Sequence, residues 1–300
     1  MISVQEGLRF AIAELTAAGV GSRWLNEEER NHSLRSEAET LLLWATGWSR
    51  SRFVSSWQDE LPAEAYAKLQ EALEKRKSGL PLQYATGQAA FYGRLFSVRP
   101  GCLIPRPETE ILADLAVDWI GANRPASTVA DLGTGSGILA VTIRLECSQT
   151  TLYALDLSRK ALDIARENAH LLGATPGIQF VHTDGLHWLK ETPVSLNVLV
   201  SNPPYIPSKD VDELDAEVRL HEPRLALDGG EDGLEIYRVL SELGDARFAP
   251  GPAAIFLEVG EGQAESVLRM MQHSRWENWT FAAEADLRGV LRVVWGYRRT

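Results

Sequence analysis

Val129-Ala130-Asp131-Leu132-Gly133-Thr134-Gly135-Ser136-Gly137-Ile138-Leu139-Ala140 decides the fold. An apolar run meets three alternating glycines, and a second apolar run follows them. Glycine lets the backbone turn tightly and lets a ligand approach with no Cβ in the way. Strand, glycine loop and helix in that order open a sheet whose ligands sit beyond the carboxyl ends of the strands. The alternation continues outward. Strands are expected at 128–132, 151–157, 178–183, 196–201 and 253–259, with two more at 279–285 and 291–296. Helical patterns fall between them at 108–119, 137–146, 159–172, 233–246 and 262–271. This order argues for an α/β domain with a mostly parallel sheet and helices on both faces.

Upstream the texture changes. Val4, Leu8, Ile12 and Leu15 recur at helical spacing, as do Ala38, Leu41, Leu42 and Ala45, then Tyr66, Leu69, Ala72 and Leu73. Gly47 and Pro62 punctuate them, and Lys75 to Gly79 closes the last helix with cations and a glycine. Residues 1–80 therefore read as a small helical bundle, a structural or partner-binding module without catalytic residues. Residues 81–105 are rich in aromatics, Gly and Pro and read as a hairpin linker to a domain at 106–300.

The formal net charge is −11, and no Lys/Arg block exceeds Lys75-Arg76-Lys77, which argues against a nucleic-acid partner. Two distant cysteines argue against a disulfide scaffold or a paired-cysteine zinc site, and the histidines lack metal-ligand spacing, so no metal is expected. The N-terminus lacks the basic-then-apolar order of a signal peptide. No apolar run approaches the roughly 18 residues that span a bilayer. The expectation is a cytoplasmic monomer that does not engage membranes.

Two cofactor classes compete for the glycine loop. Gly135-x-Gly137-x-x-Ala140 can be forced into a dinucleotide fingerprint. Asp131, however, precedes the first glycine by two residues, and its charge would repel a pyrophosphate while suiting a cation. The amino group and sulfonium of S-adenosylmethionine are cations. Asp156 ends the next strand, where a carboxylate accepts from ribose hydroxyls. His182-Thr183-Asp184-Gly185 ends the third, where an acid can take the adenine amino group. The competing structural explanation is that these acids are turn residues and helix caps.

Leu196 to Asp210 carries the second signal. Val198-Leu199-Val200 stops at Ser201-Asn202-Pro203-Pro204-Tyr205. Prolines cannot donate to a sheet ladder, so this segment lies just past a strand end. A planar NH₂ group is a poor nucleophile until its hydrogens are held and its lone pair is aimed. The Asn202 side-chain oxygen is one acceptor for those hydrogens, the Pro203 carbonyl is a second, and Tyr205 offers a flat face for packing. Alignment of this kind supplies several of the roughly 7–11 kcal/mol available from orientation. Residue types and spacing thus reach S-adenosylmethionine-dependent transfer to a planar amino group. A DNA or RNA amino-methyltransferase, acting on adenine N6 or guanine N2, and a non-catalytic binding module stand as rivals.

Asn202 to Tyr205 in this position resembles the amino-methyltransferases, and further stretches narrow the likeness. Pro81-Leu82-Gln83-Tyr84 with Gly87, Phe91-Tyr92-Gly93, and Ile104-Pro105-Arg106-Pro107-Glu108-Thr109-Glu110 are similar to the HemK-type release factor glutamine methyltransferases. So are His221-Glu222-Pro223, Gly229-Gly230 with Asp232-Gly233-Leu234, Leu257-Glu258-Val259-Gly260 with Gln263, and Asp286-Leu287 with Gly289 and Arg292. The resemblance implies a seven-stranded Rossmann-like class I methyltransferase sheet joined by a β-hairpin to a bundle that binds the substrate protein. It implies N5-methylation of the glutamine in the Gly-Gly-Gln loop of peptide chain release factors, with S-adenosylhomocysteine as product. By position, Gly133, Thr134, Gly135, Ser136, Gly137, Asp156 and Asn202 are similar to cofactor contacts, joined by Asp131, Asp184 and Gly185. Asn202, Pro203, Pro204 and Tyr205 match the substrate amide site. The family often has an aromatic where Gly185 stands, so an aromatic wall for the adenine is either missing or supplied by His187 or Trp188. Pro107 with Glu108 and Glu110 reads as helix capping, with Arg106 or Glu108 at the active-site mouth as the alternative. The 222–233 segment either flanks the substrate channel or is a solvated loop.

Overall fold

Residues 2–21, 26–272 and 275–299 are described by the computed structural model. The chain forms two compact units, Met1–Gln88 with Leu214–His221, and Ala89–Glu213 with Glu222–Thr300. The hairpin region thus divides at Gln88, and a short middle segment joins the N-terminal unit.

The first unit is built on α1 (Val4–Ala17), α2 (Glu27–Thr46), α3 (Arg50–Ser55), α4 (Ala63–Lys77) and α5 (Leu82–Thr86). Capping boxes start the first two helices. Ser3 and Glu6 exchange side-chain and backbone hydrogen bonds, and Asn26 and Glu29 do the same. Most of the i, i+3/i+4 stripes read from the sequence are buried faces, with Val4, Leu8 and Leu15 packed with Leu41, Leu42, Leu69 and Leu73, while Ile12 and Tyr66 are only partly buried and Ala11 takes the buried place on α1. Each fully buried leucine contributes roughly 1.5–3 kcal/mol. Arg76 is buried on this unit. Its guanidinium meets Glu37 at 2.5 Å, Glu217 at 3.0 Å and the Leu80 carbonyl.

The second unit begins with β1 (Gln88–Phe91) and β2 (Arg94–Ser97). Tyr92 and Gly93 between them take φ of 51° and 69°, the left-handed pair that suits a tight hairpin. Then follow α6 (Thr109–Asn123), β3 (Thr128–Leu132), α7 (Ile138–Glu146), β4 (Thr151–Asp156), α8 (Arg159–Leu171), β5 (Ile178–His182), α9 (Gly185–Glu191) and β6 (Val198–Ser201). After the short α10 (Ser208–Val211) and α11 (Ala216–His221), the latter in the first unit, come α12 (Glu235–Leu243), β7 (Ala253–Glu258), α13 (Ala264–Gln272), β8 (Thr280–Ala285) and β9 (Leu291–Arg298). The seven-stranded sheet runs β5-β4-β3-β6-β7-β9-β8, parallel through β7 and antiparallel beyond.

The period of two separates the sheet's faces. Val129, Leu152, Ala154, Val198, Val200 and Phe256 pack on one side with Leu112, Ala116 and Ile120 of α6 and Leu139 and Ile143 of α7. Ala130, Leu132, Leu155, Leu199, Ile255 and Leu257 pack on the other with Tyr237 and Leu240 of α12 and Val267 and Met271 of α13. Central strands covered on both faces explain the unbroken apolar runs at 198–200 and 253–257. The strand order reverses between β3 and β6, which opens a crevice at their carboxyl ends. No helix among the described residues is long and apolar enough to cross a membrane.

Candidate active site

The glycine loop hangs from the end of β4. Gly133 N and Thr134 N both donate to the Leu155 carbonyl at 2.9 Å. Gly133, Gly135 and Gly137 have φ of 74°, 57° and 84°, a left-handed conformation repeated at every second residue that no other residue type adopts without strain. A Cβ on Gly133 would meet nothing within 4 Å, so the loop's outer side faces open space. Gly137 has a second reason to be glycine: a Cβ there would lie 3.0 Å from the Ala165 methyl of α8. The buried Ser136 presents its carbonyl to Asn168 Nδ2 at 2.8 Å, and Asn168 also exchanges hydrogen bonds with the backbone of Ser97 in the hairpin.

Two carboxylates organise this loop from below. Asp131 is fully buried; its Oδ2 accepts from Thr134 Oγ1 at 2.6 Å and Ala140 N at 3.2 Å. Its Oδ1 has no hydrogen-bond partner. Burial pushes the Asp131 carboxyl up to about 7, and the charge of Asp156 adds to the shift. Asp156 accepts from Gly135 N at 2.9 Å and Ser158 N at 2.8 Å, and burial raises its pKa as well. An orphaned buried carboxylate oxygen, a second acid and an open glycine bend suit a cationic ligand bearing a diol. They do not suit a pyrophosphate, which would add negative charge to a site already short of positive charge.

The third acid is placed differently. Asp184 is exposed, and its Oδ1 accepts from Leu186 N and His187 N as the N-cap of α9. Capping, the structural explanation weighed for this acid, describes those contacts. Gly185 is buried, and a Cβ there would fall 2.1 Å from Leu132 Cδ1, so Leu132 leaves no room for a side chain at this position. Trp188 packs on Tyr153 with ring centroids 5.2 Å apart, and His187 is exposed.

The Asn202 segment leaves β6 beside this loop. Leu132 pairs with Ser201 in the parallel register, and Ser201 Oγ donates to the Leu132 carbonyl at 2.8 Å, so Gly133 and Asn202 emerge side by side. Asn202 Nδ2 donates to Thr109 Oγ1 at 3.0 Å, which leaves Oδ1 as the outward acceptor. Gln263 Nε2 donates to the Tyr205 carbonyl at 2.8 Å while its Oε1 accepts from Gly260 N at 2.9 Å, bracing the turn. A Cβ on Gly229 would lie 2.6 Å from the Pro204 carbonyl, and one on Gly233 would lie 2.2 Å from the Tyr205 carbonyl. Ile206 N donates to the Leu227 carbonyl, and Gly229 N donates to that of Ile206. The 222–233 segment is therefore a strap packed on the Asn-Pro-Pro-Tyr turn, which the glycines alone permit. Tyr205 is partly buried, and burial holds its hydroxyl in the neutral form.

The 106–110 stretch opens α6 with Glu108 at the N-cap position and Glu110 in the first turn, but neither caps it through a side-chain hydrogen bond. Glu108 makes no side-chain cap bond and instead approaches Arg288 at 3.5 Å. Glu110 accepts from Tyr92 N in the hairpin at 2.7 Å. Arg106 is paired at 2.6 Å with the buried Glu222, whose other oxygen accepts from Ile104 N at 3.0 Å. Thr109, Glu258 and Gln263 are site residues to which sequence reasoning assigned no role. They stand 56 to 93 positions from Asn202, and only the fold unites them. Among the described residues no group of three or more His, Cys, Asp or Glu side chains is placed to hold a metal ion.

Residues 6–87 match the PrmC N-terminal domain family, and residues 112–230 match the methyltransferase small domain family. A release factor glutamine methyltransferase from Moorella thermoacetica is 37% identical over 266 residues, covering 89% of this chain and 88% of that protein. The chain belongs to the release factor glutamine methyltransferase family. The Staphylococcus aureus member is 36% identical over 260 residues, covering 87% of this chain and 91% of that one. A crystal structure of the release factor-specific protein-(glutamine-N5) methyltransferase from Alicyclobacillus acidocaldarius is 31% identical, covering 68% of this chain and all of that one, with a TM-score of 0.44. The enzyme is a methyltransferase with S-adenosylmethionine as methyl donor, which agrees with the cation-seeking carboxylates and open glycine bend.

Proposed function

We propose that this enzyme methylates the side-chain amide nitrogen, N5, of the glutamine in the Gly-Gly-Gln loop of peptide chain release factors. The observation that carries the reading is the placement of Asn202 beside Gly133, with its amide nitrogen turned to Thr109 and its oxygen left outward. Bound S-adenosylmethionine supplies a methyl group on a positively charged sulfur. Gly133, Thr134, Gly135, Ser136 and Gly137 hold the amino-acid end of that molecule. The Asp131 carboxylate below them favours positive charge, and Asp156 accepts from the ribose. Asp184 and Gly185 border the base.

At the acceptor, Asn202 Oδ1 and the Pro203 carbonyl take the two hydrogens of the glutamine NH₂. Holding both hydrogens fixes the plane of the NH₂ group and so aims its lone pair, which stands normal to that plane, across the crevice. Pro203 and Pro204 fix the direction of that carbonyl with their locked φ. Tyr205 packs its neutral ring on the flat amide. The proton leaves after the methyl arrives, so catalysis asks for good acceptors more than for a strong base. The N-terminal bundle binds the substrate protein, and the reaction takes place in the cytoplasm, where release factors work.

The test is transfer of a labelled methyl group from S-adenosylmethionine to purified release factor, duplex DNA and ribosomal RNA in parallel. Label on the loop glutamine is expected, with loss of labelling when that glutamine is replaced by alanine. Label on nucleic acid alone would overturn the assignment in favour of a base amino-methyltransferase.

A further inference from the structure

Two buried groups beside Asn202 have no role in that scheme. Thr109, the first residue of α6, is fully buried, and its Oγ1 accepts from Asn202 Nδ2. Glu258 ends β7, and Ser201 pairs with Leu257 in the register, so Asn202 and Glu258 leave adjacent strands side by side. Glu258 is 1% exposed, yet its Oε2 has no hydrogen bond of normal geometry and its Oε1 has only the Tyr205 hydroxyl at 3.5 Å. The Thr109 hydroxyl, already bonded to Asn202, favours the charged form of the Glu258 carboxyl, though no hydrogen bond of normal geometry joins the two. A buried carboxylate left short of donors is costly.

A hydroxyl has one proton. When Thr109 directs it toward Glu258, only lone pairs face Asn202, and the carboxamide must turn Nδ2 inward. When the proton points the other way, Oδ1 turns inward and Nδ2 faces the substrate. The end of Asn202 on display therefore depends on the polarity of the group behind Thr109.

We propose that Glu258 and Thr109 are positioning residues that fix which end of the Asn202 carboxamide meets the substrate, so that the site selects an NH₂ group over a carboxylate. This deepens the assignment of Asn202 as an amide acceptor and rests on it. The arrangement also titrates. Burial raises the Glu258 carboxyl to about 7; Thr109, Arg292 and Tyr205 oppose that shift and Glu108 adds to it, while the Tyr237 hydroxyl donates to the Glu258 backbone carbonyl. Below that pH a protonated Glu258 becomes a donor and permits the reversed amide, so turnover gains an ascending limb near neutrality.

The experiment uses the full-length enzyme with Thr109→Val, Thr109→Ser and Glu258→Gln, checked for intact fold by circular dichroism. Thr109→Val is expected to lower kcat about tenfold or more, the worth of one neutral hydrogen bond of about 1.4 kcal/mol, with S-adenosylmethionine affinity within about threefold. Thr109→Ser restores kcat. Glu258→Gln lowers kcat and removes the limb near neutrality. Competition with a release factor carrying glutamate in place of the loop glutamine gives the readout that a merely structural role would not move. Wild type and Thr109→Ser prefer the glutamine protein, and the preference narrows or inverts in Thr109→Val and Glu258→Gln. An unchanged preference in both, or failure of Thr109→Ser to restore activity, overturns the proposal. If wild-type enzyme leaves release factor unlabelled, the functional assignment falls separately. The positioning of Asn202 by Thr109 is then decided by the Asn202 side-chain NH₂ resonances, whose exchange protection must persist in Thr109→Ser and vanish in Thr109→Val.

Discussion

Asn202→Ala removes the acceptor proposed for the glutamine NH₂, and its cost divides into two parts. The structural part is the 3.0 Å hydrogen bond to Thr109 Oγ1. A neutral hydrogen bond nets about 1 kcal/mol, and leaving the buried Thr109 oxygen unpaired raises the loss to roughly 1–3 kcal/mol. That is a modest fraction of the roughly 5–15 kcal/mol that keeps a domain folded. The catalytic part is larger. A preorganised partner aimed at the reacting group contributes roughly 2.7–4 kcal/mol, or about 10²–10³ in kcat. The Pro203 carbonyl survives the substitution, so turnover should fall by that factor and not to zero. The glycine bend and its Asp156 contact are untouched, so cofactor affinity should stay within about tenfold. Single-turnover transfer of labelled methyl to release factor measures the first effect, equilibrium dialysis of S-adenosylmethionine the second, and a thermal melt the structural loss. Turnover within about threefold of wild type would refute the role of Asn202. A parallel collapse of cofactor binding would move Asn202 from the acceptor side to the donor side.

Asp156→Ala strips the acceptor from Gly135 N and Ser158 N and removes the proposed ribose partner. The KM for S-adenosylmethionine should rise about 10–100-fold with kcat at saturation within about threefold, and a kcat-only defect would count against the assignment. Asp131 links stability to pH. Its carboxyl is raised from 3.8 to about 7, so between those values the folded chain keeps a proton that the unfolded chain has released. Stability of the ligand-free enzyme should therefore fall as pH rises through that window. Asp131→Asn should flatten the decline in Tm between about pH 5 and 7.5, leaving the share due to Glu258. An identical slope in both proteins would show that Asp131 does not titrate as described.

What the sequence made legible follows local chemistry. Three alternating glycines between apolar runs require left-handed φ, and the loop has it at all three. Val198-Leu199-Val200 ending at Asn-Pro-Pro reads as a central strand and its terminus because proline cannot extend a ladder. The helix at 185–191 was not legible: it is short, begins with glycine, and starts from an Asp184 cap that reads equally as a ligand contact. The insertion of β9 between β7 and β8 is a long-range pairing that no local pattern encodes. Glu108 and Glu110 look like first-turn helix acids, yet tertiary partners, Arg288 and the Tyr92 amide, take both. The orientation of Asn202 depends on Thr109 from another element, as the bracing of Tyr205 depends on Gln263.

The assignment of Leu214–His221 to the N-terminal unit has a consequence for dissection. The polypeptide crosses between the units three times, at 88–89, 213–214 and 221–222. Genetic excision of the first 88 residues would strand an eight-residue insert inside the remaining protein and deprive Glu217 of Arg76, the cation it neutralises. The two halves of this molecule are architecturally distinct but not severable by a single cut.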